Sequence, residues 1–230
     1  MNDTNLLPGC KRLKIIKIVI CILFVSFLIK LNDGFSEVLT INRPVLKIGD
    51  SWKYIKTIGI NKIEFNYTIE NIINNDEYLV KVEDNYKSWK ERWNFDLNVI
   101  ENSNNYFYPY KDIFHFPIKN GYLYTGIDFS LRRKNEFNSR YNEVTTVKSI
   151  SPETLTVNAG TFDVLKIDLE VRYQGETDSQ RIIDNKVIET YWFSPVVGMY
   201  VKRHTFDTGR KGLEIMELEN FSRSDNKIDN

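Results

Sequence analysis

Leu165, Ile167, Leu169, Val171 and Tyr173 alternate with Lys166, Asp168, Glu170 and Arg172. A period of two places successive side chains on opposite faces, so this stretch reads as a strand with one dry face and one wet one. The period recurs. Ile63, Phe65, Tyr67 and Ile69 alternate with Glu64, Asn66 and Thr68, and Trp89, Glu91, Trp93 and Phe95 alternate with Lys90, Arg92, Asn94 and Asp96. Strands wet on one face suit an antiparallel sheet, because parallel strands are covered on both faces and read as continuous apolar runs. Turn chemistry agrees. Asn158-Ala159-Gly160, Asn74-Asn75-Asp76 and the stretch 207–212 supply the Asn, Asp and Gly that tight reversals need. Lys134-Asn135 turns a further hairpin, although Phe129, Arg133, Phe137 and Tyr141 would also line up on a helix. No strong amphipathic helix longer than two turns follows residue 36. The expected fold class is all-β: roughly ten or eleven short strands in a curved antiparallel sheet, as a half-open barrel or a sandwich, preceded by one N-terminal hydrophobic helix.

That helix is a different kind of segment. Lys11, Arg12, Lys14 and Lys17 precede twelve uncharged residues, 18–29, and Lys30 closes the run. A basic start followed by such a run is the layout of a secretory signal peptide. Twelve helical residues rise only about 18 Å against a hydrocarbon core of about 30 Å. Counted from Leu13 to Leu31 the span is longer, if the lysines snorkel to the interfaces. Residues 1–36 are therefore a signal peptide, cut after Ser36, or an uncleaved N-terminal membrane anchor, and either one carries the remainder across. The expected organisation is a single exported β-domain over 37–222 and a polar disordered tail over 223–230. Its expected location is extracytoplasmic: anchored to the inner membrane by the N-terminal helix, or periplasmic or secreted if cleaved.

Composition excludes several chemistries. Both cysteines, Cys10 and Cys21, lie in the first segment. The exported part can therefore have no disulfide, thiol nucleophile or thiolate metal site. Five of the 31 basic and two of the 31 acidic residues precede Glu37, so the remainder carries a net charge of −3. Nothing in that balance suggests nucleic acid. The two histidines, His115 and His204, are far apart, no H-E-x-x-H or Gly-x-Ser-x-Gly occurs, and no Gly-rich phosphate loop is present. No catalytic residue, metal ligand or cofactor is expected. Most carboxylates fall on the wet faces of strands, and none stands out in an apolar setting that would raise its pKa.

The motifs Gly49-Asp50-Ser51-Trp52-Lys53-Tyr54, Ala159-Gly160-Thr161-Phe162 with Leu165-Lys166-Ile167, and Trp192-Phe193-Ser194-Pro195-Val196-Val197-Gly198 resemble those of uncharacterised bacterial exported proteins of the domain-of-unknown-function type. Some of those proteins are similar to the half-barrel of periplasmic lipoprotein carriers. The resemblance covers residues 46–221 and implies a fold, with no catalytic residues to carry over. The acidic residue usual between Pro and Gly is replaced here by Val196-Val197. In structural terms, Pro195 ends a strand, Gly198 permits the reversal, and Trp192 is expected to plug the core.

One segment could bind something. Tyr106, Tyr108, Tyr110, Phe114, His115 and Phe116 crowd a stretch punctuated by Pro109 and Pro117. Continuous aromatics cannot all face one core by alternation, so some line a cavity, or the loop caps the open end of the barrel. The expected function is a non-catalytic exported or membrane-anchored domain that binds an apolar or peptide-like ligand. Its expected partners are the membrane, through the first segment, and a lipid, glycan or envelope protein. The alternatives are a structural or protein-interaction module of the envelope and a carboxylate-dependent hydrolase.

Overall fold

In the computed structural model the alternating segments become antiparallel strands. The structure describes residues 39–74, 76–102, 105–108, 114, 116–119, 123–133, 138–177, 182–209 and 211–224, some of them by backbone alone. The hydrophobic segment 1–36 and tail residues 225–230 lie outside the described residues. Among the described residues the strands are β1 (Thr40–Ile41), β2 (Ser51–Ile58), β3 (Asn61–Ile73), β4 (Glu77–Asp84), β5 (Ser88–Asn94), β6 (Val99–Glu101) and β7 (Asn105–Tyr108). They continue with β8 (Ile118–Lys119), β9 (Leu123–Arg133), β10 (Asn138–Val157), β11 (Gly160–Thr177), β12 (Ile182–Ser194), β13 (Met199–Asp207) and β14 (Gly212–Ser222). The all-β antiparallel class is thus what the alternation predicts.

The pairings run β10-β11-β12-β13-β14-β2-β3-β4-β5-β6-β7-β9, and β9 pairs back onto β10, so the curved sheet returns on itself as a barrel. One side of that barrel is thinly stitched: β6 meets β7 through a single residue pair, Glu101 with Tyr106. The small pair β1–β8 stands apart from this sheet. Phe129 and Arg133 lie in β9 and Tyr141 in β10, paired antiparallel, so these three do not share a helix; Lys134, Asn135 and Phe137 lie outside the described residues.

The strands are longer than expected. β10 spans 20 residues and β11 spans 18. The sequence reads as shorter strands because the covered face changes along their length. Val147 and Ile150 of β10 and Ile167 and Leu169 of β11 belong to one apolar cluster, while Leu155, Val157, Phe162 and Val164 belong to another. Pro152 also suggests a break. It sits where β10 still pairs with β11 but has run past its ladder with β9, an edge position at which a missing N–H is tolerated.

Trp192 is part of the apolar core, as expected, but from the face of its strand turned away from the cavity residues. It is buried, but its cross-strand neighbours are Lys166 and Lys202, on the face opposite Tyr191 and Phe193. There its indole N–H donates to Glu153 at 3.1 Å and its ring meets His204 edge-on at 4.8 Å. On that face it belongs to the larger apolar cluster, with Val164, Val197 and Val201.

The three sequence motifs meet at one end of the barrel. Asp50 is 0 % exposed. It accepts from the Lys47 backbone at 2.8 Å and the Ser224 backbone at 2.7 Å, and pairs with the Arg223 guanidinium at 3.2 Å. Arg223 also donates to the carbonyls of Val197 and Val45 at 3.0 and 2.8 Å, and the Trp52 indole donates to Val197 at 3.1 Å. Arg223 and Ser224, assigned from sequence to the tail, are therefore part of the folded domain.

Candidate functional site

Cross-strand register decides which side chains face the barrel interior. Tyr191, Arg203, Met216, Lys56 and Ile63 are successive partners across β12, β13, β14, β2 and β3, so they share one face. Val82 with Tyr67 and Trp52, and Val80 with Glu91 and Ile69, continue that face across β4 and β5. A bulge on β13 adds one residue opposite the Trp192/Phe193 step, so Tyr200 pairs with Phe193 while Lys202 pairs with Trp192. The extra residue lets Tyr200 and Arg203, of opposite parity, both serve the interior, as bulges beside binding sites often do.

These residues surround a cavity of roughly 450 Å³. Its apolar wall comes from Phe114, Phe116, Phe193, Met199, Leu97 and Val99, and its polar wall from Tyr67, Tyr191, Tyr200, Arg203, Lys56 and Glu91. The aromatic rings form a connected set. Tyr54 lies 5.1 Å from Tyr200 and 5.9 Å from Tyr67, Tyr200 lies 5.6 Å from Tyr191, and Tyr191 lies 4.7 Å from Phe114.

The interior carries charge. Glu91 accepts the indole N–H groups of Trp89 and Trp93 at 2.9 and 2.8 Å, one on each oxygen. Burial pushes its carboxyl above the usual value, and the two indole hydrogen bonds oppose that shift only in part. Glu189 accepts the Tyr191 hydroxyl at 2.9 Å. Lys56 is neutralised by Glu214 at 2.5 Å. Burial works against the Arg203 charge, but the oxygens of Tyr200, Tyr191, Glu189 and Tyr67 outweigh it and hold the guanidinium above its ordinary pKa. Burial likewise keeps the Tyr67, Tyr191 and Tyr200 phenols protonated.

Of the six residues expected from sequence, Phe114 and Phe116 reach this cavity. They are 8 % and 7 % exposed and pack with Ile41, Ile118, Tyr191 and Phe193. Asn98 clamps the segment: its side chain accepts the Phe114 N–H at 2.8 Å and donates to the Phe114 carbonyl at 2.6 Å. Tyr106 and Tyr108 are described by backbone alone, in β7, paired with Arg132 and Ser130. Tyr110 and His115 lie outside the described residues. His204 packs on Trp192, and among the described residues no three His, Cys, Asp or Glu gather to hold a metal.

The sequence reading missed the polar half of the site: it expected no carboxylate in an apolar setting, and Glu91, Glu143 and Glu189 face the interior. Glu143 is 1 % exposed, opposite Tyr173. A signal existed for Glu91, which stands in register with Trp89 and Trp93 in a strict alternation. Arg203 and Tyr200 gave none, since the bulge that aims both inward has no sequence mark.

No family model and no curated protein matches the chain. Among solved structures it is similar to the hypothetical lipoprotein YmcC of Escherichia coli, at 14% identity over 78% of this chain and 89% of that one, with a TM-score of 0.44. It is also similar to a Bacteroides fragilis protein with a YmcC-like fold, at 13% identity over 81% and 100% of the two chains and a TM-score of 0.45. A Parabacteroides distasonis protein described as a lipoprotein candidate matches at 12% identity over 79% and 97%, with a TM-score of 0.39. With TM-scores below 0.5 these likenesses are loose, and nothing known of those proteins carries over to this chain.

Proposed function

We propose that this chain is an extracytoplasmic, non-catalytic binding domain that holds a small amphipathic molecule inside its barrel. The observation that carries this reading is the cavity of roughly 450 Å³, apolar on one wall and hydrogen-bonding on the other. Ligand pockets of globular proteins are commonly about 300–1,000 Å³, mostly apolar, with a few placed polar groups. The lysine-flanked apolar run at residues 13–31 supports the location. A binding role is favoured over carboxylate-dependent hydrolysis because Glu91 is the one carboxylate among the described lining residues, whereas hydrolysis of the glycosidase kind uses a pair.

Native mass spectrometry of the full chain, purified from its membrane fraction, tests this. A fraction of the protein is expected to carry a small-molecule adduct. Val99→Phe, which fills the cavity, should lose it at unchanged stability. A wild-type chain of apo mass only, or an adduct that persists in Val99→Phe, rejects the reading.

A further inference from the structure

Among the described residues, the polar wall of the cavity contains hydrogen-bond donors without strong acceptors. Arg203 makes no hydrogen bond or ion pair with any described residue; the Tyr200 ring lies 5.7 Å from its guanidinium carbon, and the Glu189 carboxylate acts on it through space. It lines the cavity and is otherwise enclosed by protein, so the surface it retains is cavity wall. The Tyr67 hydroxyl, on the same wall, also has no partner among the described residues. Among the described residues the Tyr200 hydroxyl meets the Met216 thioether, a weak acceptor, at 3.4 Å. Three donors from β3 and β13 thus face one space, and one of them is a full cation.

A buried cation whose N–H groups meet no acceptor is unfavourable, and proteins pair such groups or neutralise them. Arginine cannot be neutralised by losing its proton. The other cation on the wall, Lys56, already has Glu214. The two carboxylates nearby are turned elsewhere: Glu91 toward Trp89 and Trp93, Glu189 toward Tyr191. Arg203 is therefore the cation on this wall whose donors meet no carboxylate among the described residues, a planar fork flanked by phenol hydroxyls. That arrangement fits one carboxylate, which accepts two parallel N–H bonds from a guanidinium and has lone pairs left for hydroxyl donors.

We infer that the cavity binds an amphiphile with a single carboxylate, its head held by Arg203, Tyr67 and Tyr200 and its apolar body lying against Phe114, Phe116 and Phe193. This rests on the binding role proposed above and specifies the ligand's charge. Glu91 would repel a second negative charge on the ligand, which sets a monoanion apart from a dianionic head.

Isothermal titration of the full chain in dodecyl maltoside micelles, with decanoate and with the neutral isostere decanamide, separates the two claims. Decanoate is expected to bind at least tenfold more tightly than decanamide. Arg203→Met should abolish that difference and leave decanamide binding within about twofold. Tyr67→Phe, a milder change that keeps the ring, should weaken decanoate alone by threefold or more. Equal binding of the two compounds to the wild type overturns the carboxylate assignment and leaves the cavity reading standing. A decanoate preference that survives in Arg203→Met and in Tyr67→Phe also overturns it. Absence of binding by either compound, beyond that of empty micelles, removes the cavity reading itself.

Discussion

Gly198 shows how much one position can depend on its surroundings. Its φ is +72°, a left-handed conformation that side chains resist, and a Cβ added there would lie 1.8 Å from an Arg223 nitrogen. Arg223 cannot simply swing away, because it holds Asp50 and the carbonyls of Val45 and Val197. Gly198→Ala is therefore expected to destabilise the domain by about 1–3 kcal/mol from backbone strain, with a further loss from the displaced guanidinium. Urea unfolding at unchanged m-value measures it, and a midpoint equal to the wild type's would refute this account of the clasp. The sequence marks Gly198 as a reversal, since it follows Pro195 and precedes an alternating strand. It does not mark Arg223 as the neighbour that excludes a side chain, because the two are 25 positions apart and only the folded chain brings them together.

At the level of elements, β11 carries both the clearest sequence signal and a charged cluster on its wet face. Glu170 accepts from Lys186 of β12 at 2.7 Å and from Arg172 at 2.9 Å, and lies 3.6 Å from Lys148 of β10. Lys186 chiefly, then Arg172 and Lys148, hold its carboxyl at about 2, below the usual 4.5. A depressed folded-state pKa means that the unfolded chain binds more protons in this window. The stability Glu170 contributes is present above about pH 4.5 and is lost as pH falls towards 2. Glu170→Gln should accordingly lower the melting temperature slightly at pH 7 and show a flatter loss between pH 4.5 and pH 2. Parallel acid limbs for the two proteins would show that Glu170 has no such role. The faces of β3, β5 and β11 were legible from alternation alone. The full length of β10 was not, because Pro152 is compatible with a strand only once the far side is known to lack a neighbour.

For the whole molecule, closure is uneven. The ladders β9–β10–β11–β12 are long, while β6 joins β7 through one pair and β5 joins β6 through two, Arg92 with Glu101 and Trp93 with Val99. Local opening follows the thinnest hydrogen bonding. Amides of β6 are expected to exchange with solvent at least tenfold faster than those in the centre of β11, by hydrogen–deuterium exchange at neutral pH. Uniform protection around the barrel would contradict the pairing described here. The thin seam borders Asn98 and Val99 on the cavity wall. Local chemistry was enough for the sequence by itself to determine strand positions, antiparallel class, wet and dry faces, and the aromatic character of the segment around Phe114 and Phe116. Each of these depends on residues two to four positions apart, which the periodicity of a strand or the geometry of a turn relates directly. The tertiary structure alone decided that Tyr67, Tyr200 and Arg203 face one cavity. Their meeting depends on the ladders that set β13, β14, β2 and β3 side by side and on the one-residue bulge in β13. Both are set by pairing between distant strands, and a period of two along one strand carries no record of them.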